Sequence, residues 1–345
     1  MRSFRSRRPV LVEKRRRSAA PLNVAYDTRV ATASRVAERI GEWLETVPCP
    51  VCGAERFEVL RPARYPAVAG AGELRTVHRT SNGRLRFDRV VRCRSCSLVY
   101  LNPRPIPAPV PNGHAEAEDR MFVARNEARI RAFGRTLGSI LRELKFDCRW
   151  RNLLDIGCGG GAFLVAARRY GFETVGVEPS RWLASFGRDR YLLDIRDGVL
   201  DPGMFEPGSF DVVTLWDSVE QLPNPHDTLA AAASLLEPGG LLLVNYPDVG
   251  SLAARLLGKR WPFWQGEHWL YYTRTTMARQ LERAGFRVVG YRPFRTAQPL
   301  GYAARRAAQY FPAMGAAANL LAHIGLAETR LTYNLGQTLV VARVG

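Results

Sequence analysis

The chain has 345 residues, 46% of them hydrophobic, which is enough for one large domain or two smaller ones with a self-supporting core and excludes wholesale disorder. It has no run of about eighteen apolar residues, and arginines stand where a signal peptide needs its apolar segment, so a cytoplasmic protein with reduced thiols is expected. The net charge of +18 comes almost wholly from arginine, with lysine only at Lys14, Lys145 and Lys259; such a compositional bias speaks against nucleic acid as the main partner.

Residues 1–45 open with Arg2, Arg5, Arg7, Arg8, Lys14, Arg15, Arg16 and Arg17 and read as a basic, disordered, solvated arm, with anionic lipid or nucleic acid as its alternative role. Residues 46–105 carry two knuckles, Cys49-Pro-Val-Cys52 and Cys93-Arg-Ser-Cys96. Each C-x-x-C turn sets two thiolates on one side at tetrahedral spacing, and in a reducing compartment two such turns indicate a metal rather than disulfides. Cys49, Cys52, Cys93 and Cys96 are therefore the expected ligands of a structural Zn2+ in a zinc ribbon, with an iron–sulfur cluster as the less favoured occupant. About forty residues separate the knuckles, so a hairpin or small sheet is expected between them, and the alternation Leu85-Arg-Phe87-Asp-Arg-Val90 supports it.

Residues 106–150 form a linker and helical segment. Prolines at alternate positions from Pro103 to Pro111 bar helix and central strand and mark the boundary. From His114 to about Lys145, Met121, Ile130, Phe133, Leu137, Ile140, Leu141 and Leu144 recur at intervals that include three and four, which predicts a helix packed beside the next domain's first strand or capping a cofactor cleft.

Residues 151–345 alternate short apolar runs with helical stretches. Strands are predicted at 152–156, 174–177, 212–215, 241–245, 287–291 and 338–343, with helices at 162–170, 227–236 and 276–284. This is an α/β pattern, a doubly wound sheet that binds ligands at the carboxyl ends of its strands. An insert at about 296–335 sets Arg305 and Arg306 beside an Ala/Leu/Tyr/Phe face. A lid or dimer face is the plain reading; peripheral contact with the inner face of a membrane, reaching a lipid-linked acceptor, is the alternative.

The first of these strands runs into Leu153-Leu-Asp155-Ile-Gly157-Cys-Gly159-Gly-Gly161-Ala162. Gly157, Gly159 and Ala162 fit the spacing G-x-G-x-x-G/A, and Glu178 lies about twenty residues on, so the loop alone also suits an NAD(P)-linked oxidoreductase. Asp155 argues against that reading. A carboxylate two residues before the first glycine repels a pyrophosphate, whereas it suits S-adenosylmethionine, whose sulfonium and ammonium it can hold directly or through water.

That run, followed by Val175-Gly-Val-Glu178-Pro-Ser180, Gly208-Ser-Phe-Asp-Val-Val-Thr-Leu-Trp216-Asp-Ser-Val-Glu220 and Leu236-Glu-Pro-Gly-Gly-Leu-Leu-Leu243, resembles the class I S-adenosylmethionine-dependent methyltransferases, with all four motifs in the family's order. The resemblance implies a Rossmann-like seven-stranded sheet with a reversed last hairpin and S-adenosyl-L-methionine as cofactor. It places Asp155, Gly157, Gly159 and Gly161 around that cofactor, Glu178 on its ribose hydroxyls, Asp197 and Gly198 in the segment near adenine, and Trp216 along the cleft. Such relatives often read Glu-His where this chain has Glu220-Gln221, so a histidine base at that position is missing. The knuckles, with Arg92 to Arg104, are similar to the start of bacterial methyltransferases whose catalytic domain follows a metal ribbon, among them enzymes of sugar and glycoconjugate assembly.

After the fifth strand the stretch Lys259–Thr273 holds Trp261, Trp264, Trp269, Tyr271, Tyr272 and His268, a composition suited to docking an acceptor. Glu267-His268-Trp-Leu-Tyr271-Tyr272 resembles the Glu-His-x-x-Tyr stretch of sugar C-methyltransferases. The resemblance implies His268 as general base, with a structural histidine satisfying a carbonyl as the alternative; Tyr246 and Tyr272 are candidates to orient the acceptor or touch the methyl group, with core packing as their alternative. The expected function is methyl transfer to oxygen or carbon of a small-molecule, sugar or glycolipid acceptor. The alternatives are an NAD(P)-linked oxidoreductase and a nucleic-acid-binding or nucleic-acid-modifying zinc protein on the same fold.

Overall fold

The computed structural model of the chain describes residues 44–63, 88–106, 120, 122–308, 311 and 313–345. Residues 1–43 of the expected basic arm, the middle of the segment between the knuckles and the start of the expected linker helix lie outside the described residues, while the last two residues of that arm, Leu44 and Glu45, are strand.

At the N-terminal end, β1 (Leu44–Glu45) pairs antiparallel with β5 (Arg104–Pro105). Between them β2 (Phe57–Arg61), β3 (Val90–Cys93) and β4 (Val99–Leu101) form an antiparallel meander, and the second knuckle makes the turn from β3 to β4. The helix α1 (Asn126–Leu144) follows; its buried stripe of Ile130, Phe133, Leu137, Ile140 and Leu141 matches the spacing read from the sequence. Lys145, in the left-handed region, ends it.

The main sheet is built by β6 (Asn152–Ile156), β7 (Glu173–Glu178), β8 (Asp194–Asp197), β9 (Phe210–Trp216) and β10 (Leu236–Pro247), with α2 (Ala162–Arg168), α3 (Arg181–Tyr191) and α4 (Pro225–Leu235) between them. The short helix α5 (Leu252–Leu257) and β11 (Leu270–Tyr271) precede α6 (Arg274–Arg283) and β12 (Phe286–Pro293). The insert then runs β13 (Thr296–Pro299), α7 (Leu300–Ala308), α8 (Ala313–His323) and β14 (Arg330–Tyr333), and β15 (Gln337–Val344) closes the chain. The seven-stranded order is β12-β15-β10-β9-β6-β7-β8. β6 to β10 run parallel, and β15 lies antiparallel between β10 and β12, which is the reversed last hairpin.

The central strands are buried on both faces, and alternate residues serve opposite layers. Leu153, Val212, Leu241, Leu243 and Val341 pack with Ile130, Phe133 and Leu137 of α1 and Phe163 of α2. Leu154, Ile156, Val213, Leu215, Leu242 and Val244 belong to a second core, continuous with Leu98, Tyr100 and the knuckle cysteines. The ribbon therefore shares its core with the sheet. It also shares a strand, because β11 pairs with β4 and completes the order β11-β4-β3-β2.

Leu98 is fully buried in this shared core. Leu98→Ala is expected to lower the stability of the whole chain by about 2–4 kcal/mol, read as a fall in the urea midpoint of a single transition. Loss of ribbon signal alone, with the sheet's transition unmoved, would contradict the shared core.

Candidate active site

The chain leaves β6 sharply because the N–H groups of Gly157 and Cys158 both donate to the carbonyl of Val177, at 2.8 and 3.2 Å. Gly157, Gly159 and Gly161 follow with φ of 73°, 53° and 76°. Space forbids a side chain as well: a Cβ on Gly159 would lie 2.9 Å from the Phe122 ring, and one on Gly161 2.3 Å from Leu193 Cδ1.

Three carboxylates converge at the neighbouring strand ends. Glu178, at the end of β7, accepts the Gly159 N–H at one oxygen and the Ser180 N–H at the other, both at 2.7 Å. Asp155 is buried in β6 and accepts the Thr214 hydroxyl at 2.6 Å. Asp217, just after β9, has φ of 53° and accepts from Asn245 Nδ2 at 2.8 Å and Gln337 Nε2 at 2.6 Å. The last contact depends on the reversed β15, which brings its N-terminal residue to the carboxyl edge of the sheet.

Arg129 of α1 supplies the counter-charge. Burial holds its guanidinium down to about 10, while Asp217, Asp155 and Glu178 pull it upward. Burial raises the Asp155 carboxyl to about 8; the Thr214 hydrogen bond and Arg129 oppose that rise, and Glu178 adds to it. Phe122 lies against the Arg129 guanidinium, 3.9 Å from it to the ring centroid, and Asn126 Nδ2 donates to the Gly160 carbonyl at 3.2 Å. The N-terminal part of α1 thus covers the glycine loop.

The other expected cofactor residues lie around this centre. Gly198 donates its N–H to the Glu178 carbonyl at 2.9 Å, but the Asp197 carboxylate points to Arg188, 2.8 Å away at the surface. Trp216 packs against Phe133, Phe163 and Phe294 with ring centroids 4.9, 4.8 and 5.5 Å away, and so anchors α1 to the sheet.

In the aromatic loop of residues 259–273, His268 is buried and its Nδ1 lies 3.0 Å from the Phe263 carbonyl. A carbonyl only accepts, so this contact assigns the proton to Nδ1 and leaves Nε2 as the basic nitrogen. Nε2 lies 3.7 Å from Glu220 and 4.0 Å from Glu267. Glu220 is fully buried and neither carboxylate oxygen has a hydrogen-bond partner among the described residues. Burial, with Asp217 and Glu267 adding to it, pushes its carboxyl well up. Tyr272 is buried too, in edge contact with Tyr246 at 6.0 Å, and burial followed by Glu220 raises its phenol.

The loop holding His268 is braced from both sides. The Trp269 N–H donates to the Glu220 carbonyl and the Trp269 carbonyl accepts the Leu101 N–H, each at 2.9 Å. The same ribbon carries the four cysteines, whose sulfurs all lie within 4.8 Å of one another, with Cys49 to Cys96 at 3.4 Å and Cys52 to Cys93 at 3.5 Å. Four thiols at near-tetrahedral spacing fit a closed metal site. Burial raises the Cys96 thiol to about 11; at Cys93 burial is outweighed by N–H donors from Cys96 and Ser95, and the thiol falls to about 7.

Sequence reasoning missed Arg129, Asn126, Phe122 and the partners of Asp217. Asn245 and Gln337 carried a readable signal, as polar residues within apolar strand runs. Arg129 carried none, since Arg125, Arg131, Arg135 and Arg142 recur in the same segment.

Asp155→Asn keeps the shape of the side chain and the Thr214 bond while removing a charge that burial opposes. The folded carboxyl lies at about 8 against an ordinary 3.8, so wild-type stability falls as pH rises from about 4 to 8 and is level above that. The melting temperature of the Asn variant is therefore expected to exceed the wild type by a margin that opens across this window. A margin that stays constant from pH 4 to pH 8 in thermal melts would contradict the burial account.

Residues 120–291 match a family model described as a methyltransferase domain. The chain is 36% identical over 99 residues to the ubiquinone biosynthesis O-methyltransferase of Xanthomonas campestris pv. campestris, an alignment covering 27% of this chain and 41% of that protein. It is 35% identical over 99 residues to the protein of the same name in Xanthomonas euvesicatoria, with the same coverage. The chain thus spans 41% of the length of these curated relatives. Among solved structures, a SAM-dependent methyltransferase from Thermotoga maritima aligns at 18% identity and a TM-score of 0.44, covering 66% of this chain and 96% of that one. The match to the methyltransferase-domain model thus takes in the glycine loop, Asp155, Glu178, Asp217 and His268.

Proposed function

We propose that the protein transfers a methyl group from S-adenosyl-L-methionine to a small-molecule, sugar or glycolipid acceptor, on oxygen or on an acidic carbon, and that its four cysteines hold a structural Zn2+. The observation that carries the cofactor reading is the convergence of Asp155, Glu178 and Asp217 with Arg129 at the ends of β6, β7 and β9. Carboxylates there suit the cofactor's cationic amino-acid end, Arg129 suits its carboxylate, and Glu178 can accept ribose hydroxyls on its remaining lone pairs. A dinucleotide's pyrophosphate would meet the wrong charge. When bound, S-adenosylmethionine supplies a methyl group already activated by its sulfonium.

The chain's own residues have the remaining tasks. Phe122, just before α1, and Asn126, its first residue, close over the glycine loop and exclude water. His268, with Nδ1 held by Phe263, takes the acceptor's proton at Nε2, and Glu267, 4.0 Å from Nε2, stabilises the resulting imidazolium. Tyr272 packs against Tyr246 behind this loop and has the task of orienting the acceptor. The ribbon's fourth strand begins two residues after His268, so the metal site holds the base in place. The names of the Xanthomonas relatives favour oxygen as the methylated atom. The insert exposes Leu320, Ile324, Leu326 and Leu331, which supports a resting place on a membrane surface for this part of the chain.

Isothermal titration tests the cofactor. Binding of S-adenosylhomocysteine at micromolar affinity or tighter, with none of NADH, is the expected result, and the reverse sinks the proposal. Cys93→Ser is expected to lose most of the bound zinc by elemental analysis and to red-shift the emission of Trp261, Trp264 and Trp269 as the acceptor loop loosens, with the cofactor still bound. Unchanged zinc content would remove the ribbon from the account.

A further inference from the structure

A second cavity lies away from the glycine loop, where the start of α1 meets the insert. It has a volume of about 240 Å³ and is lined by Arg125, Arg131, Arg330, Gln298 and Tyr302, with Glu127 as its one carboxylate. Arg125 donates to the Tyr302 hydroxyl and its guanidinium stands 5.2 Å from the Tyr302 ring centroid. Arg131 reaches Glu127 only at 3.9 Å. Arg125 and Arg330 have no carboxylate partner among the described residues. Arg306 adds to the field, because it and Arg125 both act on the neighbouring Tyr333.

Arg125, Arg131 and Arg330 gather positive charge around this concavity against the single carboxylate of Glu127, and Arg125 also repels Arg129. Guanidinium groups arranged with a phenol and an amide match a phosphate in both charge and hydrogen-bond geometry. The insert leans on the cap helix through Tyr302 and on the acceptor loop through the Trp261 Nε1 bond to the Leu335 carbonyl at 2.6 Å. The insert that lines this cavity therefore also borders the loop that carries His268.

We propose that the Arg125–Arg131–Arg330 cavity is an anion site for a phosphate or diphosphate group carried by the acceptor, an inference that rests on the methyltransferase reading above. The phosphate can come from a soluble phosphorylated acceptor or from a lipid headgroup, and the two are separable.

The test uses the full chain and its Arg125→Ala and Arg330→Ala variants, with inorganic pyrophosphate by calorimetry and phosphatidylcholine vesicles with or without phosphatidic acid by flotation. Pyrophosphate binding that weakens tenfold or more in each variant supports the site with a soluble source. Binding seen only on phosphatidic-acid vesicles, with the same loss, supports it with a lipid source. Binding of neither probe, or binding equal in wild type and both variants, overturns the inference; in the latter case the basic residues between Arg2 and Arg17 account for it. S-adenosylhomocysteine titration of the same samples keeps the two readings apart. Its affinity is expected to survive Arg330→Ala; cofactor binding without anion binding overturns the anion site alone, whereas absence of cofactor binding in the wild type overturns the methyltransferase reading.

Discussion

The crowding of three carboxyl groups at the carboxyl edge of the sheet is the constraint on which the site depends. Asp155, Glu178 and Asp217 stand on adjacent strand ends beside Arg129, and several ionised carboxylates cannot share a poorly solvated space with a single cation at low cost. The protein meets this in three ways. Backbone N–H groups satisfy Glu178, strand amides from Asn245 and Gln337 hold Asp217, and Asp155 retains its proton to about pH 8. A cationic ligand arriving at this edge relieves the remaining imbalance, which is why the geometry favours a sulfonium cofactor over a pyrophosphate.

The ribbon solves a different problem, that of fixing a long aromatic loop at the edge of the sheet. Residues 259–273 form little secondary structure of their own, and their order comes from tertiary partners. Trp261 and Trp264 donate to the carbonyls of Leu335 and Gly258, while Leu270 and Tyr271 join β4. Because Leu98 and Tyr100 lie in the same core as Leu215 and Val244, the ribbon transmits rigidity from its cysteine turns to the loop. Arg279 adds a cross-link by donating to the Cys96 carbonyl at 3.2 Å.

Much of the fold was legible because parallel strands buried on both faces leave long apolar runs and helices leave a period near 3.6 residues. The predicted strands at 152–156, 212–215 and 241–245 all fall within observed ones. The helix Arg181–Tyr191 and the strand Asp194–Asp197 were not assigned as elements. The helix carries Gly187 and four polar or charged residues near its end, and the strand DIRD buries only Ile195, so neither shows an apolar pattern strong enough to read. The cap of α3, with the Ser180 side chain accepting from the Leu183 N–H, was the available clue.

The sequence by itself determined the glycine loop, the cysteine set and the acid of each strand end, because these are local demands: a turn with positive φ, two thiols per knuckle, a carboxylate placed by its strand. Only the tertiary structure decided which groups meet. Arg129 enters the carboxylate cluster through a helix lying across the sheet, Gln337 reaches Asp217 because β15 runs backwards, and His268 faces Glu220 because the ribbon borrows β11. Each of these contacts joins residues far apart in the chain, so no local spacing could record it, and the charge that a side chain finally carries depends on that company.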